Sequence, residues 1–147
     1  DRRAESAALA RDASPEFMES ISNMEEWLQQ VYLRLFQSRE WGADLGFVTY
    51  GEPLGFDLVA PDEQVRSSIF LEAGEYLAAG LCDDDCADLD LYAYDENGTL
   101  LDSNEERDAE PMVSVTVSTP GEYLFEVSMY ECETTTCGYA VQVYTVN

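Results

Sequence analysis

The chain contains no histidine and no lysine. Its seven basic residues are all arginine, set against 31 aspartates and glutamates, for a formal net charge of −24. Each absence removes a class of chemistry. Without histidine the chain holds no Ser-His-Asp or Cys-His arrangement and no imidazole ligand for a transition metal. Paired carboxylates remain as an acid and base for hydrolysis, but no motif specifically supports them. Without a basic patch there is nothing to hold nucleic-acid phosphates, and so acidic a chain is repelled by anionic membrane surfaces. The sequence has no glycine-rich phosphate loop and no apolar run long enough for a transmembrane helix. It begins at Asp1 with no signal-like segment, as a mature or trimmed product would.

What is present suits one ordinary domain. The 147 residues are 46% hydrophobic and 12% aromatic, enough to bury a core and to argue against overall disorder. The acids are uneven. From Cys82 to Glu110 there are twelve acids and one base, Arg107, so 29 residues carry −11, nearly half the net charge. A salt-adapted surface, whose self-repulsion is screened, accounts for a high acid count. It does not call for this clustering.

The chain divides into three segments. Residues 1–13, DRRAESAALARDA, read as a loose terminus. Residues 14–40 read as one amphipathic helix. Ser14 suits the N-cap and Pro15 the first position. Phe17, Ile21, Met24, Leu28, Val31 and Leu35 recur at spacings of 4 and 3 as an apolar seam, and Gly42 is a stop signal. The seam suits packing on the protein's own sheet, or a homodimer through helix 14–40. Residues 41–147 read as the β domain. A glycine- and proline-rich connection with one strand at 56–60 leads to period-two segments from Gln64 onward: GEYLAAGLC, DLDLYAYD, TLLD, MVSVTVS, GEYLFEVSMY and YAVQVYTV. Turn-like residues separate them, with Asn97-Gly98 a hairpin signal. Short strands without intervening helices predict an antiparallel β-sandwich or barrel, with one N-terminal helix packed on it. Gly74-Glu75-Tyr76-Leu77 is echoed by Gly121-Glu122-Tyr123-Leu124, which suggests equivalent positions in two sheets.

Four cysteines, Cys82, Cys86, Cys132 and Cys137, form two close pairs. An even count points to disulfides and an oxidising compartment, secreted or periplasmic. Local pairing, Cys82 with Cys86 and Cys132 with Cys137, is the first choice of three connectivities. A four-thiolate zinc site is the rival, but CxxxC and CxxxxC are not the usual two-residue zinc spacings, and the neighbouring aspartates disfavour thiolates.

A strand ending in GEYLAAG, then ADLDLYAYDENGTLL, an acidic loop, TPGEYLFEVSMY and a final YAVQVYTV follow one another in order. Over about residues 64–146 this block resembles bacterial pre-peptidase C-terminal domains, in which an Asp-x-Asp strand start, an aromatic-rich strand and a late Gly-x-Tyr strand recur in this order. The resemblance implies a compact jelly-roll-like sandwich, a secreted non-catalytic appendage and, as for several members, bound calcium. The cysteine pairs and the 14–40 helix lie outside that pattern.

Calcium takes six to eight oxygen ligands, and CDDDCADLDL with the next loop is rich in them. Asp88 and Asp90, two apart on a strand, share a face, while Leu89 and Leu91 turn to the core. Asp83 and Asp85 approach from the turn, and Asp102 and Asp108 from the following loop. These six are the candidate ligands for calcium or a similar hard cation. The alternative is that the acids are solvated, or attract a basic partner while the helix mediates docking. DENG at 95–98 lacks the ligand spacing of an EF-hand and reads as a turn.

Overall fold

The alternation that begins at Gln64 is what the chain builds. The structure, a computed structural model, describes residues 1–146. Among these residues three helices, α1 (Arg2–Asp12), α2 (Pro15–Ile21) and α3 (Glu26–Asp44), precede nine strands. The strands are β1 (Phe47–Thr49), β2 (Leu54–Val59), β3 (Gln64–Leu71), β4 (Gly74–Cys82), β5 (Cys86–Tyr94), β6 (Leu100–Asn104), β7 (Met112–Val117), β8 (Gly121–Cys132) and β9 (Cys137–Val146). None of the described helices is long and apolar enough to cross a membrane.

All strand pairings are antiparallel. One sheet runs β1-β9-β4-β7, with β2 also paired to β9, and the other runs β3-β8-β5-β6. Period-two side chains meet between them: Leu89, Leu91 and Phe125 from one sheet pack with Val115, Val141 and Val143 from the other. The expected antiparallel sandwich is therefore the fold. The two Gly-Glu-Tyr-Leu segments open β4 and β8, an inner strand of each sheet. Asn97-Gly98 makes its turn, with Gly98 at φ 83°, where glycine avoids a side-chain penalty. Asp95 Oδ1 accepts from the amides of Asn97 and Thr99, both at 2.9 Å.

Strand β9 has no wet face over most of its length, since Cys137 to Tyr144 are all buried. Val141 and Val143 point into the sandwich. On the other side lies α3. Ser38 Oγ and Tyr144 Oη are 2.6 Å apart, and Arg39 Nη2 donates to Gln142 Oε1 at 3.2 Å. The Trp27 ring rests directly on Gly138, where a Cβ would come within 2.1 Å of the ring.

The N-terminal region differs from the sequence reading in three ways. Residues 1–13 are not loose: they form α1, capped by Asp1 Oδ1 accepting from the Ala4 amide at 2.9 Å. The single helix over 14–40 is two. Ser14 caps α2 as expected, its Oγ accepting from the Phe17 amide at 3.1 Å. The helix ends at Ser22, whose amide and hydroxyl both donate to the Glu19 carbonyl, at 3.3 and 2.8 Å. Helix α3 runs past Gly42, which lies against the Tyr144 ring instead of ending the helix. Of the apolar seam, Ile21, Val31 and Leu35 are buried within the chain, while Phe17, Met24 and Leu28 are half-buried.

Gly138→Ala should therefore lift Trp27 and loosen α3. Overpacking of this kind costs on the order of 1–3 kcal/mol, to be read from urea unfolding of the full chain. Ala140→Gly, on the same strand, should leave the Trp27 contact intact.

Candidate functional site

The acidic run sorts itself by position. Both disulfides are local, Cys82–Cys86 and Cys132–Cys137. Cys86 and Cys132 are register partners on β5 and β8, so the two bridges sit side by side at one end of the sandwich. Asp83, in the Cys82–Cys86 loop, is buried. Its Oδ2 accepts from the Gly138 amide at 2.7 Å and its Oδ1 from the Asp85 amide at 3.2 Å. Burial pushes its carboxyl up, and the Gly138 bond partly offsets this.

The other acids of the loop meet arginines. Arg3 Nη2 donates to Asp85 Oδ1 at 2.7 Å. Ser6 Oγ donates to Asp84 Oδ1. Arg2 Nη2 donates to the Cys82 and Asp83 carbonyls at 2.7 and 3.1 Å. Beneath them Arg34 of α3 is only 2% exposed. It meets Glu5 at 2.9 Å, Glu110 at 3.5 Å and Asp84 at 3.6 Å, and donates to the Arg2 carbonyl at 2.9 Å. The cations that answer the Cys82–Cys86 acids are guanidinium groups of α1 and α3.

Asp88 and Asp90 of β5 are a separate place. Leu89 and Leu91 face the core as expected, but the two aspartates are not on an open surface. They are 5% and 8% exposed, and the chain after β6 runs along this strand, with the Leu89 amide donating to the Asp108 carbonyl at 3.0 Å. Each Oδ1 has no hydrogen-bond partner within the protein. Burial, then the Asp88 charge, then Glu105 push Asp90 up to about 6. Burial also raises Asp88.

The remaining candidates hold backbone. Asp102 accepts from the Ser103 and Ser114 amides at 2.9 and 2.8 Å, and Asp108 from the Glu110 amide at 3.0 Å. Among the described residues no three of His, Cys, Asp and Glu form a metal-binding group. The six expected ligands thus do not assemble into one cage. Asp83, Asp85, Asp102 and Asp108 are occupied by amides or arginine, and only Asp88 and Asp90 keep free buried oxygens. Farther along the same face of β5, Tyr92 donates to Glu105 at 2.9 Å and Tyr94 to Glu126 at 3.3 Å. Arg66 donates to Glu126 at 2.7 Å and lies 4.7 Å from the Tyr94 ring centroid.

No protein-family model matches the chain, and no curated protein matches it. Several solved structures overlap it in part. The periplasmic g-type lysozyme inhibitor PliG of Aeromonas hydrophila covers 67% of this chain and 88% of its own, at 9% identity and TM-score 0.46. A carbohydrate-binding module of Cellvibrio mixtus lichenase 5A, solved with cellotriose, covers 69% and 88%, at 10% identity and TM-score 0.37. The coconut allergen cocosin covers 67% and 28%, at 11% identity and TM-score 0.27. Scores and identities this low carry no functional inference.

Sequence reasoning missed Arg34, Glu5 and Ser6. The available signal was scarcity: with seven bases against 31 acids, each arginine is under strong demand, and Arg2-Arg3 stand in a segment read as loose.

Arg34→Met should cost about 3–5 kcal/mol, because it strands buried charge; chemical denaturation of the variant measures it. A pH effect follows from the β5 pair. A carboxyl whose folded pKa is raised stabilises the fold fully below its unfolded value and loses that contribution as pH rises through the folded one. For Asp90 the window closes at about 6. Glu5, held low by Arg34, acts in the opposite sense and only at lower pH. In divalent-free buffer, stability should rise on going from about pH 7.5 to about pH 5 by on the order of 1 kcal/mol, since each pH unit below the folded pKa is worth about 1.4 kcal/mol. Asp90→Asn should remove most of that rise, measured by calorimetry across the range. The charged neighbours to hold constant are Asp88, Glu105, Asp108, Glu131 and Arg107.

Proposed function

We propose that the chain is a non-catalytic, exported β-sandwich binding module that takes a hard divalent cation, calcium first, at Asp88 and Asp90. The observation behind this reading is the pair of buried carboxylate oxygens with no partner in the protein. Leaving such groups unpaired is costly, and a site that keeps two of them side by side is suited to a cation. The donor chemistry fits, since calcium prefers carboxylate oxygen. Asp88 and Asp90 would hold the ion from the strand. The rest of a six- to eight-oxygen shell falls to carbonyls and water. A bound ion would supply the countercharge that these buried carboxylates lack.

The non-catalytic reading rests on access as well as on the missing histidine. Two adjacent carboxyls with raised pKa can act as acid and base, but both are more than nine-tenths buried, and neither lines the main surface cavities. Export is supported by two disulfides, which persist in oxidising compartments. The resemblance to pre-peptidase C-terminal domains fits the same reading, as does a salt-adapted surface for the remaining acids.

The test is differential scanning calorimetry of the full chain in EDTA, then in excess calcium, near neutral pH. Saturation at about 100 times the dissociation constant adds roughly 2.7 kcal/mol, so the melting temperature should rise, and Asp88→Asn and Asp90→Asn should abolish the rise. An unchanged melting temperature in both conditions for the unmodified chain overturns the cation site.

A further inference from the structure

A second site lies on the opposite sheet. Between α3 and the outer side of β4 and β7 is a cavity of about 310 Å3, at the small end of the range for ligand pockets. Trp41, Leu81 and Met112 supply an apolar wall; Arg34, Gln37 and Glu110 supply polar groups. Trp41 is 43% exposed, a large aromatic surface left in water beside the opening.

Arg34 makes this more than a surface groove. Its two terminal nitrogens are engaged, Nη1 with Glu5 and Glu110 and Nη2 with the Arg2 carbonyl and Ser6. Its Nε is buried and has no partner within the protein. A guanidinium N–H in that state calls for an acceptor, and the cavity is the space that Arg34 lines. The neighbouring polar groups want something else: the Glu110 carboxylate takes donors, and the Gln37 amide both gives and takes.

The charges narrow the ligand. An anion would approach a chain of net charge −24 and meet Glu110 at the opening. A cation would meet the Arg34 guanidinium, which already has three carboxylates around it. A neutral group with adjacent hydroxyls suits these walls: a hydroxyl oxygen that reached the buried Arg34 Nε would give it its missing acceptor, hydroxyl protons would go to Glu110 and Gln37, and the C–H face of a ring would lie on Trp41. We infer that this cavity binds a neutral polyhydroxylated ring, a single sugar residue, held between Trp41 and Arg34. The site shares no residue with Asp88 or Asp90.

The experiment is NMR of the uniformly 15N-labelled full chain, following the two tryptophan indole N–H signals. The probes are methyl glycosides of common hexoses and N-acetylglucosamine, each titrated to high millimolar concentration. Acetate and methylammonium serve as charged controls at matched ionic strength. At least one sugar should move the Trp41 signal in a saturable way while Trp27 stays in place. Trp41→Ala and Gln37→Ala should each weaken the binding by about tenfold or more, with sugar-induced shifts of the cavity-lining backbone amides as the readout for Trp41→Ala. Asp90→Asn should leave the sugar response unchanged, so this result and the calcium result stand or fall separately. No saturable shift with any sugar, a larger shift with either charged control, or full binding in Trp41→Ala overturns the assignment.

Discussion

One buried guanidinium organises the N-terminal half of this protein. Arg34 reaches three carboxylates from three parts of the chain, Glu5 in α1, Asp84 in the Cys82–Cys86 loop and Glu110 before β7. It also holds the backbone of α1 through the Arg2 carbonyl. Coulomb attraction inside a protein is strong, but desolvating the partners consumes most of it. The network therefore adds little net stability and much specificity. It decides where α1 lies, because only one placement of that short helix satisfies Arg2, Arg3 and Ser6 together.

The same constraint explains the acidic loop. A chain carrying −24 has few cations to distribute, and three of its seven arginines converge on this loop. Asp83 closes it from within by taking the Gly138 amide of β9, and the disulfide keeps the turn narrow. The loop is thus a socket for the helices. The β5 aspartates, only a few residues on, receive no arginine. Arg107, the single base in the acidic stretch, pairs with Glu131 at 3.0 Å. Asp88 and Asp90 are left with burial and each other, which is why their protonation is displaced upward.

Strand β9 links the two halves. It contributes to the sandwich core on one side and carries α3 on the other, so the helix is a third layer on the sheet β1-β9-β4-β7. That layering requires a small residue where Trp27 lands, met by Gly138, and polar contacts where the helix crosses Gln142 and Tyr144. It also creates the cavity beside Trp41, since a helix laid over a twisted sheet cannot fill both of its flanks equally.

The sandwich was legible in the sequence because a strand writes its burial into every second residue. Leu89, Leu91 and Val127 declare the core face without reference to anything distant, and the turns at 95–98 and 118–121 mark where strands end. The local disulfides and the shared face of Asp88 and Asp90 were legible for the same reason. The socket was not. Whether Asp83 and Asp85 meet calcium, water or arginine depends on residues about eighty positions away. The Asp1 cap and the alanines favour α1 locally, but a helix so short and weakly amphipathic is marginal in water without those distant partners. The break at Ser22 to Glu25 was also hidden, since apolar spacing continues across it. Strand alternation, turn chemistry and cysteine spacing are near-neighbour properties, so the sequence alone marked the strands, their core faces and the close cysteine pairs, while the order of strands in each sheet waited for the fold. Charge pairing and burial of polar atoms are properties of distant residues brought together. Only the tertiary structure could decide which acids are neutralised, which remain unpaired, and where a cavity opens beside an arginine with one nitrogen to spare.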